Sequence, residues 1–167
     1  SVFDILNFKY FLIFVFFTSM FLSLDVIYQY NFGFDLIGLK SLGFYNSGFF
    51  GDELIAGSFI KNFSFFAIFF VVFSLRDKNV LRFILSMFVI CILGVGIMLS
   101  GNRMPLILFL SGLFLIFLFN NKLKKILLTS FLVLFIIFGF FFSFDNKIKD
   151  LYVSYIGNAQ HFLISVF

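Results

Sequence analysis

The segment SGFFGDELIAGSFIKNFSF, Ser47–Phe65, decides how the chain is read. A glycine-rich loop meets two adjacent carboxylates, Asp52 and Glu53, and an apolar run long enough to cross a bilayer starts directly after them. Acidic groups at the mouth of a membrane helix must be solvated, capped or paired, because hydrocarbon offers them no partner. Arg103, in SGNRMP, also sits at a helix mouth and is the natural partner. The functional reading turns on whether those two mouths share one side of the membrane.

Composition supports a membrane setting. Of 167 residues, 62% are hydrophobic and 12% charged, against about half apolar and about a quarter charged in soluble domains. Phenylalanine occurs 34 times and tryptophan not at all, which leaves tyrosine to supply any interfacial aromatic belt. The net charge of +4 comes from basic residues spread over short loops, which is topological information and not a nucleic-acid footprint. The single cysteine, Cys91, lies in an apolar run and reads as a buried thiol; one cysteine makes no disulfide framework. The chain starts at Ser1 and ends at Phe167 inside a helical pattern, so it reads as a fragment of a longer protein with a single membrane domain over 1–167.

The expected fold is all-α and polytopic, with about five transmembrane helices and a C-terminal amphipathic interfacial helix. The spans fall at 8–24, 54–75, 80–100, 104–119 and 126–144, with Asp25 ending the first. Between the first two runs lies a loop, 25–53, rich in aromatic residues. Gly33, Gly38, Gly43 and Gly48 recur in it as turn punctuation, and it lies on the membrane surface or dips into it against protein. Ala56, Gly57 and Ser58 open the second span, and Gly96 and Ser100 form a small-xxx-small pair late in the third. Pro105 suits the first turn of the fourth, where a missing N–H costs little. From 146 to 167, Ile148, Leu151, Tyr152, Tyr155 and Ile156 follow helical spacing opposite Asp150, Asn158 and His161.

Five alternating spans put Arg76, Lys78, Arg82, Lys122, Lys124 and Lys125 on one side, which the positive-inside rule places in the cytoplasm. Asp52, Glu53, Arg103 and His161 then face outward together. A guanidinium forks onto phosphate or carboxylate oxygens, and the start of the fourth span adds free N–H groups and a positive dipole end. That combination suits a lipid phosphate or pyrophosphate.

At these residues a family resemblance emerges. SGFFGDELIAGSFI (47–60) followed by LSGNRMPLILF (99–109), with DVIYQYNFGFDLIG (25–38) before them, resembles the bacterial O-antigen ligase/O-antigen polymerase family. The resemblance covers Asp25 to Phe119 and implies a multi-pass protein of the bacterial inner membrane with its site facing the periplasm. It implies transfer of a saccharide from an undecaprenyl-diphosphate-linked donor to a glycan or lipid A-core acceptor, in surface-polysaccharide polymerisation or ligation, without metal or other cofactor and without nucleic acid. On it, Arg103 stabilises the diphosphate, Asp52 and Glu53 position Arg103 or the acceptor, and Arg103, Asn102 and Lys61 bind substrate. Two features depart from the pattern. Many relatives carry an arginine just before the Ser-Gly pair, where this chain has Tyr45 and Asn46; and the later loop bearing a catalytic histidine is not recognisable, since His161 lies on the tail helix.

Plainer roles stand beside these. Asp52 and Glu53 equally suit an N-cap and first turn. Arg103 also suits an interfacial anchor that snorkels to headgroups, snorkelling explains Lys61 more cheaply than a substrate role does, and His161 suits a solvated polar face. A transporter or flippase of an anionic lipid-linked glycan, or a non-catalytic membrane subunit, is the alternative class.

Overall fold

Side chains that repeat at helical spacing make this chain a bundle. In a computed structural model, which describes residues 2–74, 79–121, 123–150 and 153, the long elements are five helices: α1 (Val2–Phe32), α2 (Ala56–Ser74), α3 (Asn79–Leu99), α4 (Arg103–Phe119) and α5 (Lys124–Phe144). Among the described residues there is no strand, only isolated bridges between Phe34 and Lys40 and between Leu42 and Tyr45. On α2 the buried positions Ala56, Ile60, Ser64, Ala67, Ile68 and Val71 form one stripe, while Phe66, Phe69 and Phe73 point away from the bundle. Phenylalanine so exposed is at home in lipid. α1 from Phe8, α2, α3 from Val80, and α5 are each long and apolar enough to cross a membrane. α4, at 17 residues, is shorter, about 26 Å against a hydrocarbon core of about 30 Å.

α3 occupies the centre and packs against all four other helices. Val89, Ile90, Leu93 and Ile97 on it are almost wholly buried. Around it, α1 packs on α2, α2 on α4, and α4 on α5; α1 and α5 meet through the rings of Tyr30 and Phe141, 5.8 Å apart. Glycine sets the tightest crossing. A Cβ built on Gly96 would lie 2.8 Å from Cβ and 2.9 Å from Cα of Ser23, so α1 and α3 touch nearly backbone to backbone. α5 is the least enclosed of the four longer helices: 17% of its most apolar stretch is buried, against 33–39% in the others.

The expected spans two to five start and stop within two residues of α2 to α5. The first does not. Asp25 is not the end of a helix but an interior residue of α1, which continues to Phe32, and the loop runs from Gly33, not from position 25. The reason is that Asp25 and Gln29, one turn apart, are fully buried against that loop and find partners there. Arg103 is itself the first residue of α4, and Pro105 is buried in its first turn. α2 starts at Ala56 with no acidic residue in its first turn, so Asp52 and Glu53 precede the helix and do not form its cap and first turn. At Asp145 the backbone leaves the helix (φ −110°, ψ 108°) and its carboxylate accepts the N–H of Lys147 at 2.8 Å, so a new helical stretch starts over 146–150. Residue 153 is also helical. The rest of the expected interfacial helix, His161 included, and Arg76, Asp77, Lys78 and Lys122 lie outside the described residues.

Gly96→Val should drive a branched side chain into the Ser23 backbone and lower stability by about 1–3 kcal/mol. Gly139, with nothing within 4 Å of a built Cβ, should accept alanine without loss. Thermal unfolding of both variants in detergent checks the contrast, and equal melting temperatures would contradict the packing described.

Candidate functional site

The loop end of the bundle gathers the polar residues. Here α1 ends, α2 and α4 begin, α3 ends and the chain leaves α5. The loop 33–51 lies over the end of α1, and its order comes from buried polar side chains. Asp35 folds the first turn: its Oδ1 accepts the N–H groups of Ile37 (3.0 Å) and Leu39 (2.7 Å). Asp25 Oδ1 accepts the N–H of Leu36 at 3.1 Å. Gln29 works in both directions, accepting from Gly48 N–H at 2.8 Å and donating to Leu39 O at 3.2 Å. Ser47 Oγ donates to the carbonyl of Gly51. The four glycines spaced along the loop all have positive φ, as turn punctuation requires. Gly48 is the most constrained: at φ 55°, a Cβ there would sit 2.6 Å from Asp25 Oδ2.

Two further bonds tie this loop end to the turn between α3 and α4. Asn46 Nδ2 donates to Leu99 O at 2.7 Å, across 53 positions of sequence. Asn102 Nδ2 donates to Leu54 O at 2.7 Å. Gly101, at φ 82°, lies against the loop so closely that a Cβ would be 2.8 Å from Phe44 O. The two helix mouths that the sequence reading singled out are therefore side by side. Asn102 makes an uncharged bond between them. Its side chain forms no cap hydrogen bond with α4 although Asn102 is the N-cap residue. Asp52, Glu53 and Arg103 are exposed around this junction. Lys61 lies further along α2. Lys61 is half-buried on α2 and its ammonium donates to Asn62 Oδ1 at 2.5 Å.

Below the corner, a cavity of about 300 Å³ opens between α3, α4 and α5, lined by Gly94, Met98, Leu106, Leu110, Leu134 and Phe138. Leu106 and Leu110 stand one and two turns from Arg103, at i+3 and i+7, so they follow it down the same helix face. A smaller recess of about 40 Å³ shares Met98 and reaches Asn46, Gly101, Tyr30 and Lys147. An apolar hollow thus adjoins a rim that carries polar and cationic side chains. Among the described residues no three histidine, cysteine or acidic side chains gather as a metal ion would need.

Sequence reasoning put Asp25, Gln29, Asp35 and Asn46 in the loop 25–53 and Lys147 beyond the last span, but singled out none of them as a residue that builds this end. The signal for the first two was present: polar residues at i and i+4 inside an apolar run share a helix face and need a common partner. Compared with known proteins, the chain matches no family model, no curated protein and no solved structure.

Gly48→Ala should loosen the loop, because the side chain meets both a left-handed backbone and the Asp25 carboxylate. Protease cleavage within 33–51 should rise and stability fall by about 1–3 kcal/mol. Combining it with Asp25→Ala should cost less than the sum of the two single changes in a double-mutant cycle; strict additivity would mean that the two residues do not meet.

Proposed function

We propose that the chain is the donor-binding part of a bacterial inner-membrane protein that transfers a glycan from an undecaprenyl-diphosphate carrier. The product is extension or ligation of a surface polysaccharide such as O-antigen. The observation that carries this reading is the alignment of Arg103 with the hollow beneath it. An isoprenoid chain matches an apolar cavity between membrane helices, and a diphosphate matches a guanidinium at a helix N-terminus. The resemblance of 47–60 and 99–109 to the O-antigen ligase and polymerase family points to the same chemistry.

In this reading all five helices span the membrane, and the lysines and arginines of the turns after α2 and α4 support a periplasmic position for the corner. The acceptor hydroxyl attacks the anomeric carbon of the donor and gives up its proton to water or to the departing diphosphate. The bond from that carbon to the diphosphate oxygen breaks, and Arg103 stabilises the charge that builds up on the leaving group. Asn102, which fixes the turn through Leu54, holds Arg103 at that depth. Asp52 and Glu53, exposed just ahead of α2, orient Arg103 or the acceptor. Lys61, already held by Asn62, contributes at most a distant positive field.

One observation favours a carrier that moves an anionic lipid-linked glycan without cleaving it. Asp25 is a carboxylate buried within a membrane helix, and ionisable groups there often mark transport paths. Its bond to Leu36 N–H gives it a structural use, which leaves the transferase as the better reading.

Arg103→Ala should reduce glycan transfer by about a hundredfold or more while the protein still inserts, and Arg103→Lys should recover part of the activity. The assay is proteoliposomes containing the intact protein and a radiolabelled polyprenyl-diphosphate glycan, scored for release of the free carrier diphosphate. Wild-type glycan ladders from Arg103→Ala would rule out the assigned role, and an intact donor delivered to the other leaflet would establish the carrier instead.

A further inference from the structure

We infer that the segment 33–51 is a cap embedded in lipid, with the leaflet at the loop end of the bundle as its partner. The inference stands whether or not a glycan is transferred, because it rests on the polarity of the loop. A loop facing water buries apolar groups and shows polar ones. This one does the reverse. Asp25, Gln29, Asp35, Asn46 and Ser47 are inside, Asp35 being 1% exposed. Leu36, Ile37, Leu42 and Phe44 are outside, with Leu36 54% and Ile37 67% exposed.

The hydrogen bonding follows the same plan. Irregular backbone is tolerated at membrane depth only where protein satisfies its polar groups. Here the N–H groups of Leu36, Ile37, Leu39 and Gly48 go to the side chains of Asp25, Asp35 and Gln29. The carbonyl of Leu39 takes a bond from Gln29. These are bonds that water would make to a solvated loop, and here side chains of the protein make them.

The apolar surface also continues from a membrane helix through Tyr28, Phe32 and Phe34. The span of α1 extends to Phe32, itself 60% exposed. Tyr28 packs its ring on Phe32 at 4.4 Å and on Phe34 at 5.9 Å, carrying the aromatic face of the helix onto the loop. α1, with 31 residues, is about 46 Å long, well beyond a hydrocarbon core of about 30 Å. Its last turns therefore reach the headgroup region together with the loop. Lys40, the one exposed charge between 33 and 51, fits that depth, where a lysine stem lies in apolar surroundings and its ammonium reaches phosphate.

The test uses the intact protein in liposomes, with Cys91→Ser as background, since Cys91 is the chain's only cysteine. Single variants Ile37→Cys, Leu42→Cys and, as the water-facing reference, Asp52→Cys carry an environment-sensitive fluorophore or meet a membrane-impermeant maleimide. Positions 37 and 42 should be quenched by phosphatidylcholine bearing a nitroxide high on its acyl chain, and should react with maleimide about tenfold more slowly than position 52, as burial at the acyl boundary implies. Reaction as fast as at 52 without lipid quenching would overturn the proposal. So would slow reaction without lipid quenching, which would mean that a second copy or another protein covers the loop. Should the substitutions disturb the cap, the unaltered protein with a diazirine-bearing phosphatidylcholine gives the same answer. Photolabel on 34–44 supports insertion, and label confined to the five helices overturns it.

Discussion

Backbone polar groups without water must find partners in the protein, and this one constraint shapes the loop end of the bundle. Asp25 is where it is met first. Its carboxylate is fully buried on α1, accepts the N–H of Leu36 and lies against the α-carbon of Gly48. One turn later Gln29 grips two distant points of the same loop, at Leu39 and Gly48. The loop in turn fixes the α3–α4 turn through Asn46 and Leu99. Removing a single partner would leave a buried donor or acceptor unsatisfied, at about 1–3 kcal/mol each. The turn from which α4 starts is thus held in place, through the loop, by side chains of α1.

The helices were legible because lipid imposes a simple code. A run of apolar residues must be a helix of about the right length, and few sequences satisfy that by accident. Hence α2 to α5 fall within two residues of their expected limits. α1 was misread at its end because a carboxylate is ordinarily a sign that a span has stopped. Asp25 breaks that habit by bonding a loop residue 11 positions away. Nothing local to Asp25 announces Leu36 as its partner.

The candidate site was legible in outline only. That the mouths of α2 and α4 share a side follows from counting spans, and the structure sets them in contact. Which residue joins them did not follow. Arg103 with Asp52 or Glu53 is the pairing that charge suggests, and the neutral bond from Asn102 to Leu54, across 48 positions, is one that charge does not announce. Pairings of that kind depend on how helices cross, and the close approach of Gly96 to Ser23 sets one such crossing. Charge complementarity suggests candidates over any distance, but a hydrogen bond is decided by tenths of an ångström.

The sparse burial of α5 has a mechanical consequence. Three helices wall the 300 Å³ hollow, and they are not equally anchored. α3 is wedged among all the others, and α4 is pinned at its first turn by Asn102. α5 buries only Ile126, Leu127 and Ser130, all near its start and none beside the loop end, so displacement of its far half is a soft deformation of the bundle. The hollow has two stiff sides and one compliant one, and its width is set chiefly by where α5 comes to rest.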